Sequence, residues 1–481
     1  MIRKLTDKYR GLSPALRTSI WFTICNFLQR GTAFITVPVF TRLLTTDQYG
    51  LYNIYLSWFE VFILFASLKI PYEGLNNGLI RHEDDKDGYT SAMAGLMTVL
   101  AFLFGLFYLI FRRWIDHFTG LSQFVMLLMF LEILFNPPLY LWTNRERFDF
   151  RYRMPVLVTM ASTILTPAIA IIAVLNTSYK AEARIMATVA VQAVTGLILY
   201  AVIMKKGKKF YDREYWRFAL GFNIPLIFYY LSQSLLNQSD RIMINYFNGT
   251  GKAGIYSVAY SAASIMLLFV SAINGSFNPW MYKQLKAGKR ESVGKAASYI
   301  CSMLALITLG MVLFAPDLIR LLATKEYYEA IYVIPPVAAS VFFIFLYMVF
   351  ANVEMYLGET GYISMISIIS SAANLILNAI FIRIYGYLAA GWTTLVCYML
   401  LAVLHFVLMK KACRIHLGGQ ILFHEKFLLV LSFLLCLIST LMLFVYPYTI
   451  LRWGLILVIL LIIFLQRKRI FDLIRTMKEK G

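Results

Sequence analysis

KKGKKFYDREYWR, residues 205–217, carries six Lys and Arg and lies between two long apolar stretches. Such a cluster, flanked by segments long enough to cross a bilayer as helices, marks a loop on the face that retains basic residues. Working outward from it, apolar segments lie at 17–41, 50–70, 91–111, 120–142, 155–176, 183–204, 218–244, 254–278, 296–315, 329–356, 361–381, 387–408, 427–446 and 449–466. The connections alternate in charge. Both termini and the connections on the side of 205–217 hold 32 of the 45 Lys and Arg. The opposite side holds 10; Arg17, Arg184 and Arg452, at segment edges, are counted to the adjoining connections, and Arg30, Lys69 and Arg241 are counted within segments. The alternation predicts an all-α polytopic membrane protein with fourteen transmembrane helices and both termini cytoplasmic.

Composition agrees. A hydrophobic fraction of 60% and a mean hydropathy of +0.69 exclude a soluble globular chain. The formal charge of +20 follows from the bias toward one face. It points to anionic membrane lipid as a partner and not to nucleic acid. The polar, basic start MIRKLTDKYRGLSPALR leads into a segment too long for a signal-peptide core, so an uncleaved signal-anchor is expected. Cys25, Cys301, Cys397, Cys413 and Cys436 form no CxxC pair and read as buried thiols, with neither metal nor disulfide expected. The five histidines are dispersed without metal-ligand spacing, and no phosphate-binding Walker sequence occurs, so no cofactor is expected. HEDDKD (82–87) reads as solvated loop charge. The longest outward connection, near 315–329, reads as a short amphipathic turn, too small to fold as a domain.

Two basic stretches divide the chain. Six segments precede 205–217, six follow it up to KKACRIHLGGQILFHEK (410–426), and two remain. The expected organisation is 1–204, 205–409 and 410–481. The two sets of six look related. A shift of 204 residues places Gln29 on Gln233, Thr46 on Thr250, Gly50 on Gly254, Tyr52 on Tyr256 and Ser57 on Ser261. An even number of helices per repeat gives halves of parallel topology, related by a pseudo-two-fold axis along the membrane normal.

Ionisable and amide side chains within such segments are costly and mark sites or helix contacts. Thr23, Asn26 and Arg30 fall at spacings of three and four, one face of a helix, with Arg30 near mid-segment. Asn53, Ser57, Glu60 and Ser67 share a face of the second segment. The seventh carries Tyr230, Gln233, Asn237, Asp240 and Arg241, within and before NQSDRIMINYF (237–247). The eighth carries Ser257, Tyr260 and Asn274; the tenth Ser340, Tyr347 and Glu354; the eleventh Ser367, Ser371, Asn374 and Asn378. Stripes paired across the repeat predict a cavity lined by both halves. Ser and Thr are read as interhelical glue, and Lys69 as snorkelling to the interface. Asp240–Arg241 fits an ion pair or a ligand contact, and Glu132 a packing carboxyl or a proton site. The residues read as substrate-binding are Arg30, Asn26, Glu60, Gln233, Asn237, Asp240, Arg241, Tyr260 and Asn374.

On QRGTAFITVPVFTRLLTTDQYGLYNIYLSW (29–58) and NQSDRIMINYFNGTGKAGIYSVAYSAAS (237–264), the chain resembles bacterial O-antigen and capsule repeat-unit flippases. These belong to the multidrug/oligosaccharidyl-lipid/polysaccharide exporter superfamily. The resemblance spans essentially the whole chain. It implies a V-shaped transporter of two six-helix bundles plus two C-terminal helices in the bacterial plasma membrane. It further implies a polyprenyl-diphosphate-linked oligosaccharide as cargo, moved by alternating access with H+ or Na+ as coupling ion. In the similar lipid II flippases, arginines of the first helix receive a diphosphate, and Arg30 matches that helix. Guanidinium forks suit a diphosphate. Asn26, Gln233, Asn237, Tyr260 and Asn374 would serve the sugar. A drug–cation antiporter of the same superfamily is the alternative reading. A membrane glycan polymerase is disfavoured, because the chain lacks the long outward loop that carries such catalytic residues.

Overall fold

The computed structural model describes residues 13–359, 361–419, 422–458 and 461, the side chains of Arg30 and Ala33 excepted. Among the described residues all regular structure is helical. In chain order the helices are α1 Pro14–Leu43, α2 Thr46–Ser67, α3 Leu75–Arg81, α4 Lys86–Thr119, α5 Gln123–Phe148, α6 Arg153–Leu175, α7 Lys180–Gly207 and α8 Arg213–Asn248. There follow α9 Thr250–Ala263, α10 Met266–Lys286, α11 Arg290–Leu322, α12 Ile334–Tyr356, α13 Ile363–Tyr385, α14 Ala389–His416, α15 Glu425–Val445 and the short α16 Thr449–Val458.

Twelve helices are long and apolar enough to cross a membrane, counting α9 and α10 as one, Thr250–Lys286. They match twelve of the fourteen predicted segments one for one. Of the other two, α1 is 30 residues long but too polar to join the twelve. The last predicted segment, 449–466, is described only as α16, the rest lying outside the described residues. Exposed Phe102, Leu106, Leu109 and Ile110 on α4, and Leu429, Val430 and Phe433 on α15, make apolar surfaces that would drive aggregation in water and suit hydrocarbon.

Local chemistry sets the helix ends. Thr45 Oγ1 accepts from the Gln48 amide at 3.2 Å while Gln48 Oε1 accepts from the Thr45 amide at 3.1 Å, a reciprocal cap that starts α2. Gly120, at φ 69°, ends α4 in the left-handed region that glycine favours. Near its other end the second segment breaks. Leu68 and Lys69 take φ of 48° and 52°, and a π-helical turn, Ile70–Gly74, precedes α3. The freed carbonyls find partners: Asn144 Nδ2 donates to Pro71 O at 2.8 Å, and Tyr89 Oη to Gly74 O at 3.2 Å. Lys69 sits at this break with its ammonium 5.3 Å from the Tyr72 ring.

Packing separates residues up to Gly254 from those beginning at Ile255. In the first unit α7 packs against α4, α5 and α6, and α8 against α2. Its core at the basic end gathers Ile70, Leu75, Tyr89, Met93, Leu141 and Ala219. The 205–217 loop docks here. Trp216 Nε1 donates to Ala92 O at 2.9 Å, and Asp85 accepts from Lys209 at 2.7 Å and Tyr215 at 3.0 Å. The hydrogen bond that Lys209 donates to the Asp85 carboxylate holds its ammonium above the ordinary lysine pKa. HEDDKD is therefore not simply solvated: Asp85 also caps α4 through the Gly88 amide, and Asp87 pairs with Arg145 at 3.1 Å. In the second unit α12 packs against α11, α14 and α15. Arg452 of α16 is buried there and bound to Asp317 and to Leu313 O, the latter at 3.0 Å. The cysteines are free thiols, four buried and Cys436 partly so.

Candidate functional site

Helix periodicity places the polar residues of α2 in one line, and in the first unit that line meets α8. The Ser57 hydroxyl lies 2.9 Å from Asn53 O and 3.1 Å from Gln238 Oε1, so its one proton serves either acceptor. Arg241 Nη1 donates to the same Gln238 Oε1 at 2.9 Å and to Asn237 O at 3.2 Å. Asn237 Nδ2 in turn donates to Gln233 O at 2.8 Å, and Asp240 is only 1% exposed. The structure thus brings Gln233, Asn237, Asp240 and Arg241 together on α8, with Gln238 joining them to α2. Sequence reading passed over Gln238. Its only signal was its position beside Asn237 in a polar run.

Further along α2, Tyr55 donates its hydroxyl to the buried carboxyl of Glu132 on α5. Glu60 is exposed on α2. Among the described residues no basic side chain forms an ion pair with Glu60 or Glu132. Tyr72, at the helix break, and Tyr140, on α5, have ring centroids 6.1 Å apart and lie within electrostatic reach of Glu60. The carboxyls here thus face tyrosine hydroxyls and rings. On α1, Asn26 is exposed. Arg30 lies in α1, but its side chain is outside the described residues.

At the other end of α2, the Arg184 guanidinium is stacked between Phe40 and Tyr52, 3.7 Å and 3.6 Å from their centroids. In the charge pattern it looked like a loop residue; burial on α7 makes it a brace for α1 and α2. Beside it the repeat-related positions meet reciprocally. A Cβ on Gly50 would overlap Thr250 O, and one on Gly254 would overlap Thr46 O. Only hydrogens at both positions let the start of α2 approach the Thr250 turn this closely.

Tyr260 and Asn374 belong to the second unit. Tyr260 is half-buried. Asn374 is fully buried on α13; its Oδ1 accepts from Asn378 Nδ2 at 3.1 Å, and Thr393 on α14 donates to Asn378. This unit also holds a pair that sequence reading missed. Glu354 of α12 and His405 of α14, each 1% exposed, approach to 3.1 Å, with the Tyr347 ring 5.8 Å from the imidazole. Glu354 had been seen as part of a stripe, but histidine spacing carries no sign of a partner on another helix. Among the described residues no group of three His, Cys, Asp or Glu could hold a metal.

Comparison with known proteins follows the same lines. A family model described as "polysaccharide biosynthesis protein" matches residues 15–285, and one described as MatE matches 225–380. A relative from Haemophilus influenzae, "Lsg locus putative protein 1", is 25% identical over 197 residues, 40% of this chain and 49% of that protein. The chain therefore spans about half the length of that relative. The solved lipid II flippase MurJ in an inward closed conformation superposes with a TM-score of 0.70 at 14% identity, covering 94% of this chain and 100% of that one. An inward-facing multidrug resistance MATE family transporter of the MOP superfamily gives 0.60 at 14%, covering 83% and 96%.

Proposed function

This chain belongs to the polysaccharide biosynthesis protein family and is a multi-pass membrane transporter, not an enzyme; on that premise we propose that it flips a polyprenyl-diphosphate-linked oligosaccharide across the bacterial plasma membrane. The family match is the observation that carries this reading, and the α2–α8 polar face supports it. A sugar repeat unit needs hydroxyl and amide partners inside a low-dielectric span, and Asn53, Glu60, Gln233 and Asn237 supply them. The diphosphate needs guanidinium, which Arg30 and Arg241 would offer. Asn26, Asp240, Tyr260 and Asn374 complete the proposed contacts. The polyprenyl tail stays in lipid and needs no site.

Alternating access coupled to H+ or Na+, fourteen crossings, cytoplasmic termini and halves at 1–204 and 205–409 followed by 410–481 all belong to this proposal. The test is surface glycan in a strain lacking its own repeat-unit flippase, with and without this chain. Restored glycan at normal lipid-linked precursor levels is expected; none would reject the cargo. The MatE match favours a second reading, a cation-coupled drug antiporter. Drug resistance without glycan rescue would select it.

A further inference from the structure

At the basic end of the first unit a cleft of about 880 Å³ opens among the α3 start, the α4 start and the α5 end. Asn76, Lys86, Asn144 and Arg147 line it on the polar side, with Phe148 and Phe150 as an apolar wall and Asp149 at its edge. The rim is built rather than loose. Phe150 adopts φ 57°, its carbonyl accepts from Thr18 Oγ1 at 2.9 Å, and the Arg151 amide donates back to Glu146 O at 2.9 Å.

The pairing of charges around this cleft is uneven. Arg145 is committed to Asp149 at 2.6 Å and to Asp87, Arg151 to Glu146 and Asp149, Lys206 to Glu146, and Lys209 to Asp85. Asp149 is thus neutralised from outside the cleft. Arg147 has no carboxylate within ion-pair distance among the described residues and rests 5.1 Å from the Phe22 ring. Lys86 lies 3.6 Å from Glu83, whose side chain is 78% exposed, a pairing that contributes little, and its ammonium rests 5.3 Å from the Phe148 ring centroid. Among the described residues, the two cations that line the cleft thus face it without a strong carboxylate partner.

We propose that this cleft binds the phosphate of a lipid headgroup, held by the Arg147 fork and the Lys86 ammonium. The carboxamides of Asn76 and Asn144 would meet a neighbouring hydroxyl; Asn144 already spends one N–H on Pro71 O, leaving its oxygen to accept. Phe148 and Phe150 would cover the first carbons of the chain. Two sources share this chemistry, the diphosphate of the transported lipid and an anionic membrane phospholipid. Only the first rests on the flippase reading.

The experiment is native mass spectrometry of the full chain in detergent with three probes: a short-chain polyprenyl diphosphate, phosphatidylglycerol and phosphatidylcholine. Lys86→Gln with Arg147→Gln should weaken the anionic lipids about tenfold, Arg147→Lys should fall between because it loses the fork, and Arg383→Gln, exposed on α13 of the second unit, should change nothing. Preference for the diphosphate assigns the cleft to cargo; preference for phosphatidylglycerol assigns it to membrane lipid. Equal binding by the double variant, or an equal loss in Arg383→Gln, overturns the site. Neither result depends on glycan export, so this site and the proposed function can fail separately.

Discussion

Among single residues Arg30 bears most of the proposed substrate chemistry. A guanidinium near the middle of α1 is expensive without a ligand or partner. Arg30→Ala should abolish glycan export at normal protein abundance, and Arg30→Lys should retain part of it because charge survives without the fork. Full export by Arg30→Ala would remove the diphosphate role. Glu132 poses a different question, because among the described residues its hydrogen-bond partner is the Tyr55 hydroxyl. Glu132→Gln keeps an oxygen for that hydroxyl and should leave stability near wild type. Glu132→Leu strands a buried hydroxyl and should cost about 1–3 kcal/mol. Unfolding of the purified chain in mixed micelles measures both, and equal stability of the two variants would mean the hydroxyl finds another acceptor.

At the scale of elements, spans were the most legible feature and breaks the least. Twelve predicted segments coincide with helices because apolar length is a local property of the chain. The interruption at Leu68–Gly74 was not foreseen. It depends on Asn144 and Tyr89, distant in sequence, accepting the burden of freed carbonyls. Gln238 and His405 escaped for the same reason: Ser57, which meets Gln238, and Glu354, which meets His405, lie on other helices. The Gly50–Gly254 correspondence was visible as a repeat, but its purpose was not, since a missing Cβ reveals itself only against the carbonyl it makes room for. Gly50→Ala and Gly254→Ala should each destabilise the first unit by about 1–3 kcal/mol through overpacking. The double variant should lose less than the sum, because both act on one contact. Full additivity in the same unfolding measurement would mean that the two glycines act separately.

For the whole molecule, the asymmetry of 32 basic residues against 10 predicts topology independently of any site. Reporter fusions after Asn248 and at the C-terminus should read opposite sides of the membrane. The same side for both would reject fourteen crossings. The central claim concerns cargo, and it is tested most directly with purified full-length protein in vesicles. These would contain a fluorescent polyprenyl-diphosphate oligosaccharide in both leaflets and a membrane-impermeant quencher outside. Vesicles with the protein should lose nearly all fluorescence, because inner-leaflet lipid reaches the quencher, whereas empty vesicles keep the inner half. Retention of that inner half in the protein vesicles, under imposed proton and sodium gradients alike, would contradict the account.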